Sequence, residues 1–229
     1  MDLAAKRMFK SQLFEQFARI GKGLSSGRRL ELLELLAQGD RTVEDLASET
    51  GMSVANTSQH LKGLREAQLV EVRREGLYAR YRLANEHVFV LWQVLRDLGT
   101  ARLAEIRQIV ATFLADRESL RGITCEELQR RLEERSVVLL DVRPDKEYRA
   151  GHVPGARSIP LAELKAQLKA LPKRKEIVAY CRGPYCVFAD EAVTLLRSHG
   201  RKATRLEIGF PDWKARGLPV ETAPSPARA

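Results

Sequence analysis

Four apolar residues, Ile177-Val178-Ala179-Tyr180, run directly into Cys181-Arg182-Gly183-Pro184-Tyr185-Cys186, and a helical pattern follows from Val187 to His199. A strand, a tight loop and a helix start in that order confine the segment to an α/β layer, with the loop at the carboxyl end of a strand. Loop amides and a helix N-terminus converge at such a place, which favours anions and lowers a thiol's pKa. Gly183 permits unusual backbone angles, and Pro184 stiffens the turn. The loop reads as a site of thiolate chemistry at Cys181, with Arg182 adding positive charge. The plain alternative is a buried cysteine at a strand end.

The surrounding pattern supports the layer. Glu126–Arg135 reads as a helix, Val137–Val142 as a buried strand, Gly151 to Pro160 as a loop and Leu161–Leu171 as a helix. The strand 177–181, the helix 187–199 and the strand Ala203–Ile208 follow. Strands alternating with helices predict a mostly parallel sheet. The tail from Ala223 is rich in Pro and Ala, and is expected to be disordered.

The first half is built differently. Leu3–Arg19 is amphipathic, and Gly21, Gly23 and Gly27 are expected to end it. Ser26–Ala37 carries a Leu-rich stripe. Thr42 is placed to cap a helix over Val43–Thr50, with Asp45 at the capping-box position, and Gly51 ends that helix. Ser53 is placed to cap another over Val54–Ala67. Two strand-like runs, Val70–Arg74 and Tyr78–Leu83, meet around Glu75-Gly76 as a hairpin. Two apolar helices follow, Glu86–Leu98 and Ala101–Leu114, with a break expected at Gly99. Their apolar surface suits either an interface between subunits or the chain's own core.

Two helices joined at Gly51-Met52 and followed by a basic hairpin form a winged helix-turn-helix pattern. Its second helix is expected to expose Asn56, Thr57, Ser58, Gln59, His60 and Lys62 toward base edges in a major groove. Arg73, Arg74, Arg80 and Arg82 on the hairpin suit phosphates or a minor groove. The formal net charge of +9 agrees with a nucleic-acid partner, although the excess is spread over both halves.

The 229 residues favour two domains, drawn at 1–118 and 119–222, with a disordered tail over 223–229. The chain lacks the run of roughly 18 apolar residues that a membrane span needs. Met1–Arg7 leads into amphipathic sequence and not into a signal-peptide core, so a cytoplasmic location and no membrane partner are expected. Three cysteines do not make a disulfide scaffold.

Thr42-Val43-Glu44-Asp45-Leu46-Ala47, Ser58 through Ala67, Leu69-Val70 and Arg73-Arg74-Glu75-Gly76 through Tyr81-Arg82-Leu83 resemble the ArsR/SmtB family over about residues 20–85. The resemblance implies a homodimeric repressor, paired through its first and last helices, that leaves double-stranded operator DNA on sensing a ligand. The family's metal sensors often carry a cysteine pair in the third helix; Val43–Thr50 has none. His87 stands without a second histidine nearby, although Asp97 and Glu105 are present. No metal site and no cofactor are expected.

Leu139 through Arg143, Glu147-Tyr148, Gly151 through Ala156, Ile159-Pro160, the Cys181 loop, Gly209-Phe210, Trp213, Gly217 and Pro219-Val220-Glu221 resemble a rhodanese domain over about residues 122–222. That resemblance implies a cysteine, here Cys181, that accepts a sulfane sulfur atom. Gly183 stands where thiosulfate-using relatives can have a basic residue. Cys186 stands where many relatives have a small or hydroxylated one. A thiol at 186 can attack a Cys181 persulfide, or it can pack as a small apolar residue; the choice depends on a Cα separation. Val187 occupies the position where a cysteine phosphatase needs arginine, so phosphatase chemistry is not expected.

Asp141, Arg143 and Glu147 read as a local group. Asp141 is placed to accept loop N–H bonds and Arg143 to pair with Glu147. His152 reads as ordering its own loop, and Cys125 as a residue of a helix start.

A DNA reader joined to a thiolate domain predicts a transcriptional regulator that senses reactive sulfur or redox state through persulfide or disulfide chemistry at Cys181 and Cys186. Its small partner is a sulfane-sulfur donor or a thiol. Two other readings stay open: a sulfurtransferase whose helical half serves dimerisation or localisation, and a rhodanese domain that only binds.

Overall fold

The computed structural model describes residues 1–76, 78–114, 120 and 122–223. The chain forms two compact units, Met1–Trp92 and Gln93–Ala229. The boundary drawn from sequence at 118/119 lies outside the described residues, as does the tail beyond Ala223. Gln93 and Arg96, at the start of the second unit, make side-chain hydrogen bonds to Asp212 within that unit. Among the described residues no helix is long and apolar enough to cross a membrane.

The first unit opens with α1 (Leu3–Leu24) and α2 (Gly27–Leu36). The helix α1 does not stop near Arg19 but continues through Gly21 and Gly23. A Cβ on Gly23 would come within 2.6 Å of the Ala67 Cβ, so this glycine serves close packing and does not break the helix. A two-residue strand, β1 (Arg41–Thr42), leads into α3 (Val43–Thr50) and α4 (Val54–Glu66). The Thr42 hydroxyl accepts the Asp45 N–H, and the Ser53 hydroxyl accepts that of Asn56. Each fills one orphan donor at a helix start. Gly51, at φ 66°, makes the left-handed turn between the two helices.

The hairpin β2 (Val70–Glu75) and β3 (Tyr78–Leu83) is antiparallel, with Val72 opposite Tyr81. The strand β1 joins β3 and makes the sheet three-stranded, in the order β1-β3-β2. Leu32, Leu33, Leu46, Leu61 and Leu64 are buried together in the core. Fully burying each such side chain stabilises by about 1.5–3 kcal/mol.

The helix α5 (Glu86–Arg102) runs unbroken through Gly99, and the chain turns at Leu103 before α6 (Ala104–Phe113). A glycine in a helix interior costs only about 1 kcal/mol relative to alanine, too little to end a helix that packing supports.

The second unit contains a five-stranded, wholly parallel sheet in the order β4-β8-β7-β5-β6. Its elements are β4 (Gly122–Ile123), α7 (Cys125–Glu133), β5 (Val137–Asp141), α8 (Asp145–Ala150), β6 (Arg157–Ser158), α9 (Leu161–Gln167) with a 3-10 turn over Leu168–Ala170, β7 (Glu176–Tyr180), α10 (Val187–Ser198), β8 (Ala203–Leu206) and α11 (Phe210–Ala215). Both sheet faces are covered, as parallel sheets require. Ile177, Ala179 and Cys181 point into a core with Leu164, Ala192, Val193 and Leu196. Val178 and Tyr180 point into the opposite core with Leu128, Leu139, Phe210 and Trp213. Period-two alternation along β7 therefore sends Cys181 to the α10 side of the sheet.

Candidate functional site

The winged helix presents one polar surface. Asn56, Ser58, Gln59 and Lys62 are exposed on α4, and His60 is half-buried. Thr57 differs from the sequence reading: it is fully buried, and its hydroxyl donates to the Ser53 carbonyl at 3.0 Å. It faces the core side of the first turn and is withdrawn from any base edge. Arg73 and Arg74 are exposed on β2. Arg80 is half-buried, pairs with Glu75 at 2.8 Å and reaches the Asp40 carbonyl, while Arg82 pairs with Glu71. Among the described residues, the wing arginines most open to a phosphate are thus on β2, and those on β3 already share their charge with glutamates.

The Cys181 loop closes β7 and starts α10. Cys181 is almost completely buried, and Cys186, the N-cap residue of α10, is half-buried. The two sulfurs form a disulfide, and the Cα atoms are 6.3 Å apart. That separation lies inside the range that bridges span. Cys186, more than Cys181, occupies the helix start, and its N–H donates to the Gly183 carbonyl at 3.1 Å. Cys186 is also the more exposed residue of the two.

Arg182 does not stand as a free positive charge in the loop mouth. Its Nε donates to both Glu147 carboxylate oxygens at 3.0 and 3.1 Å, and Glu147 is buried. Arg143 makes its ion pair with Asp141 at 2.6 Å, with both side chains fully buried. The Asp141 carboxylate also accepts the Arg143 N–H and the Tyr180 hydroxyl. Both Asp141 carboxylate oxygens are thus engaged by Arg143 and Tyr180. Burial, and secondarily the Asp141 charge, push the Tyr180 phenol well above its ordinary pKa, so it stays a donor. The Arg143 guanidinium lies 4.4 Å from the Phe210 ring centroid, and the Phe210 N–H donates to the Cys181 carbonyl at 3.0 Å. A buried charge pair therefore supports Phe210, the residue that holds the Cys181 carbonyl.

His152 stacks on Tyr148 with ring centroids 3.7 Å apart, and its Nδ1 lies 2.9 Å from the Tyr148 carbonyl. It orders the turn after α8. Cys125 is buried in the opposite core, and burial raises its thiol pKa. Both features are those of a structural rather than a reactive cysteine.

Sequence reasoning named Gly209 only within the rhodanese resemblance and missed Asp212; both brace the loop from below. A Cβ on Gly209 would fall inside 3.0 Å of the Arg182 carbonyl and the Gly183 nitrogen, although its φ of −96° suits any residue. The tight approach is steric and not conformational. Gly209→Ala is therefore expected to push the loop outward and to destabilise the second unit by about 1–3 kcal/mol. Thermal unfolding, together with the rate at which a reductant opens the Cys181–Cys186 bridge, checks this. The sequence signal available was the cluster Gly209-Phe210-Pro211-Asp212-Trp213, with no periodicity to place it.

The family model described as Rhodanese-like domain matches residues 124–216, and that described as Bacterial regulatory protein, arsR family, matches residues 26–72. The chain is 46% identical over 212 residues to HTH-type transcriptional regulator Rv0324 of Mycobacterium tuberculosis, covering 93% of each. It is 29% identical over 99 residues to a protein named Sulfurtransferase from Allochromatium vinosum, covering 43% of this chain and 92% of that one. A homodimeric winged helix-turn-helix DNA-binding domain, Mb0332 from Mycobacterium bovis, shares 44% identity; the match covers 42% of this chain and 89% of that one, with a TM-score of 0.40. The near-full-length likeness, with both family matches in their expected halves, places this chain in the ArsR family of DNA-binding transcriptional regulators, in a form that carries a rhodanese-like domain.

Proposed function

We propose that this regulator is a homodimeric repressor that senses reactive sulfur by making and breaking the Cys181–Cys186 bond. The observation that carries the reading is the pair itself: two cysteines at bonding distance across a strand-to-helix loop, in a chain that also holds a DNA reader. The exposed apolar residues of α1 and α5, among them Phe9, Phe14, Phe17, Val94 and Leu98, support pairing of two copies. Two readers on one two-fold axis suit a palindromic operator.

The chemistry balances with an organic persulfide as donor. The Cys181 thiolate attacks the outer sulfur of R–S–SH, the donor S–S bond breaks, and RS⁻ leaves. Cys181 is then a persulfide. The Cys186 thiolate attacks the Cys181 Sγ and expels HS⁻, leaving the bridge. Two cysteine thiols and one organic persulfide thus give a disulfide, one organic thiol and hydrogen sulfide. The cysteines are oxidised and the sulfane sulfur is reduced. A cellular thiol reopens the bridge by attacking Cys186, the more exposed of the pair, so that Cys181 leaves as thiolate; a second thiol then attacks the mixed disulfide, and both cysteines return as thiols with release of one organic disulfide.

A duplex selected from a random pool by the reduced, full-length protein provides the DNA probe. Persulfide treatment is expected to weaken binding to this duplex about a hundredfold, a change of about 2.7 kcal/mol, and dithiothreitol to restore it. Cys181→Ser is expected to bind DNA normally and to ignore the donor. An identical response in Cys181→Ser and wild type would overturn the mechanism. So would steady sulfur transfer to thiol acceptors without any change in DNA affinity, which would make the chain a sulfurtransferase.

A further inference from the structure

Asp212 stands between the Cys181 loop and α5. Its side chain is 1% exposed. Oδ2 accepts the Gly209 N–H at 3.3 Å, at the turn whose next residue, Phe210, holds the Cys181 carbonyl. Oδ1 accepts Arg96 Nη2 at 2.6 Å and Gln93 Nε2 at 2.9 Å. Arg96 is itself 8% exposed, so this is a buried ion pair. Such a pair is strongly disfavoured from losing one partner, and it fixes the geometry of what it joins.

A second contact lies at the other end of the loop. The Thr100 hydroxyl donates to the Arg96 carbonyl at 2.8 Å and accepts the hydroxyl of Tyr185. Gln93, Arg96 and Thr100 follow the i, i+3, i+7 spacing of one helix face. All of these partners belong to the second unit, while the first turns of α5, Glu86–Trp92, belong to the first. The two contacts differ in kind. The Asp212 contact is buried and multiply bonded. The Tyr185 contact is one bond between two neutral hydroxyls, on a side chain adjacent to Cys186 that is 37% exposed.

The geometry points to α5 as the reader of the loop's redox state, with Asp212–Arg96–Gln93 as its fixed pivot and Tyr185–Thr100 as the contact that opens and closes. The inference rests on the sensing reading above and names the residues that would carry its signal. In the bridged protein, residues 182–185 are held between two bonded sulfurs, and the Tyr185 hydroxyl reaches Thr100. Reducing the bridge lets the sulfurs move apart to van der Waals separation, and a persulfide on Cys181 adds an atom between them. Either change widens the loop beside Tyr185. A hydrogen bond weakens steeply with displacement and misalignment, so this contact responds first. The helix face around Thr100 is then released while Arg96 stays anchored.

Hydrogen exchange on the full-length protein tests this without DNA. In wild type, amides of α5 near Thr100 are expected to exchange at least several-fold faster after dithiothreitol than in the bridged protein. Thr100→Val removes the hydroxyl at nearly constant shape and is expected to abolish that difference, with both states exchanging at the faster rate. Thr100→Ser keeps the hydroxyl and is expected to restore it. The bridge itself, read by mass, is expected to form in all three proteins. Equal exchange of these amides in bridged and reduced wild type overturns the inference, as does a difference that persists in Thr100→Val. The sensing reading is scored separately by the DNA affinity of bridged and reduced wild type. A relay that operates with no effect on DNA affinity would sink that reading and leave the helix coupling standing.

Discussion

Cys186→Ser protein exposed to an organic persulfide is expected to stop at a single adduct on Cys181, about 32 Da heavier, whereas wild type is expected to end about 2 Da lighter with its bridge closed. The difference follows from the order of the two attacks. Without a thiol at 186 nothing beside the Cys181 persulfide can expel HS⁻, because a serine hydroxyl is a far weaker nucleophile than a thiolate at neutral pH. Cys181→Ser is expected not to end 2 Da lighter, because Cys186 alone lacks the partner that completes the bridge. Cys125 is expected to stay unmodified in all three proteins, since it is buried and its thiol pKa is raised. Intact mass with peptide mapping reads all of these outcomes. A stable persulfide on Cys186 in the Cys181→Ser protein, formed as fast as in wild type, would reverse the assignment of nucleophile and resolving thiol.

The strand–loop–helix segment around Cys181 and Cys186 was legible in sequence because its determinants are consecutive. An apolar strand, two cysteines five positions apart, Gly183 and Pro184 lie in one short stretch, and the chemistry needs little else to be suspected. The helix starts at Thr42 and Ser53 were legible for the same local reason. What sequence did not disclose is set by distance along the chain. Gln93 and Asp212 are 119 positions apart, and no periodicity links them. Arg182 and Glu147 are 35 positions apart, and nothing local distinguishes Arg182 or Arg143 as the partner of that glutamate. Strands of two residues, such as Gly122–Ile123 and Arg157–Ser158, have no alternation to detect. At Gly23 and Gly99 the local preference of glycine pointed to a break, and tertiary packing overrode it. Thr57 illustrates the opposite error. Polarity suggested exposure, but the hydroxyl satisfies itself on the Ser53 carbonyl, so the methyl-bearing side chain can be buried.

The same distinction between local and distant determinants fixes where a single substitution does most harm. Asp141→Ala is expected to destabilise the second unit by about 3–5 kcal/mol, more than removal of either loop cysteine. The carboxylate accepts Arg143 through its backbone N–H, Nε and Nη2, and it accepts the Tyr180 hydroxyl at 2.7 Å. Removing it takes the Asp141 carboxylate away from a guanidinium of 0% exposure, and the acceptor away from a buried phenol. Domains of this size are stable by only about 5–15 kcal/mol, so such a loss is a large share of the total. Arg143→Met alone is expected to do less damage, because the carboxylate retains Tyr180 and methionine refills the apolar space between Tyr180 and Phe210. The double variant Asp141→Leu with Arg143→Met is expected to recover part of the loss, since it removes both charges together, although the Gly151 carbonyl then loses the Arg143 donor. Urea unfolding of the full-length protein, followed by the fluorescence of Trp213 in the adjoining core, measures the four corners of this cycle. Additive losses would show that Asp141 and Arg143 act independently and would remove the buried pair as the support of the Phe210–Cys181 contact. A double variant that is folded but whose bridge forms and opens at altered rates would show that the pair's stabilising effect and its positioning effect are separable.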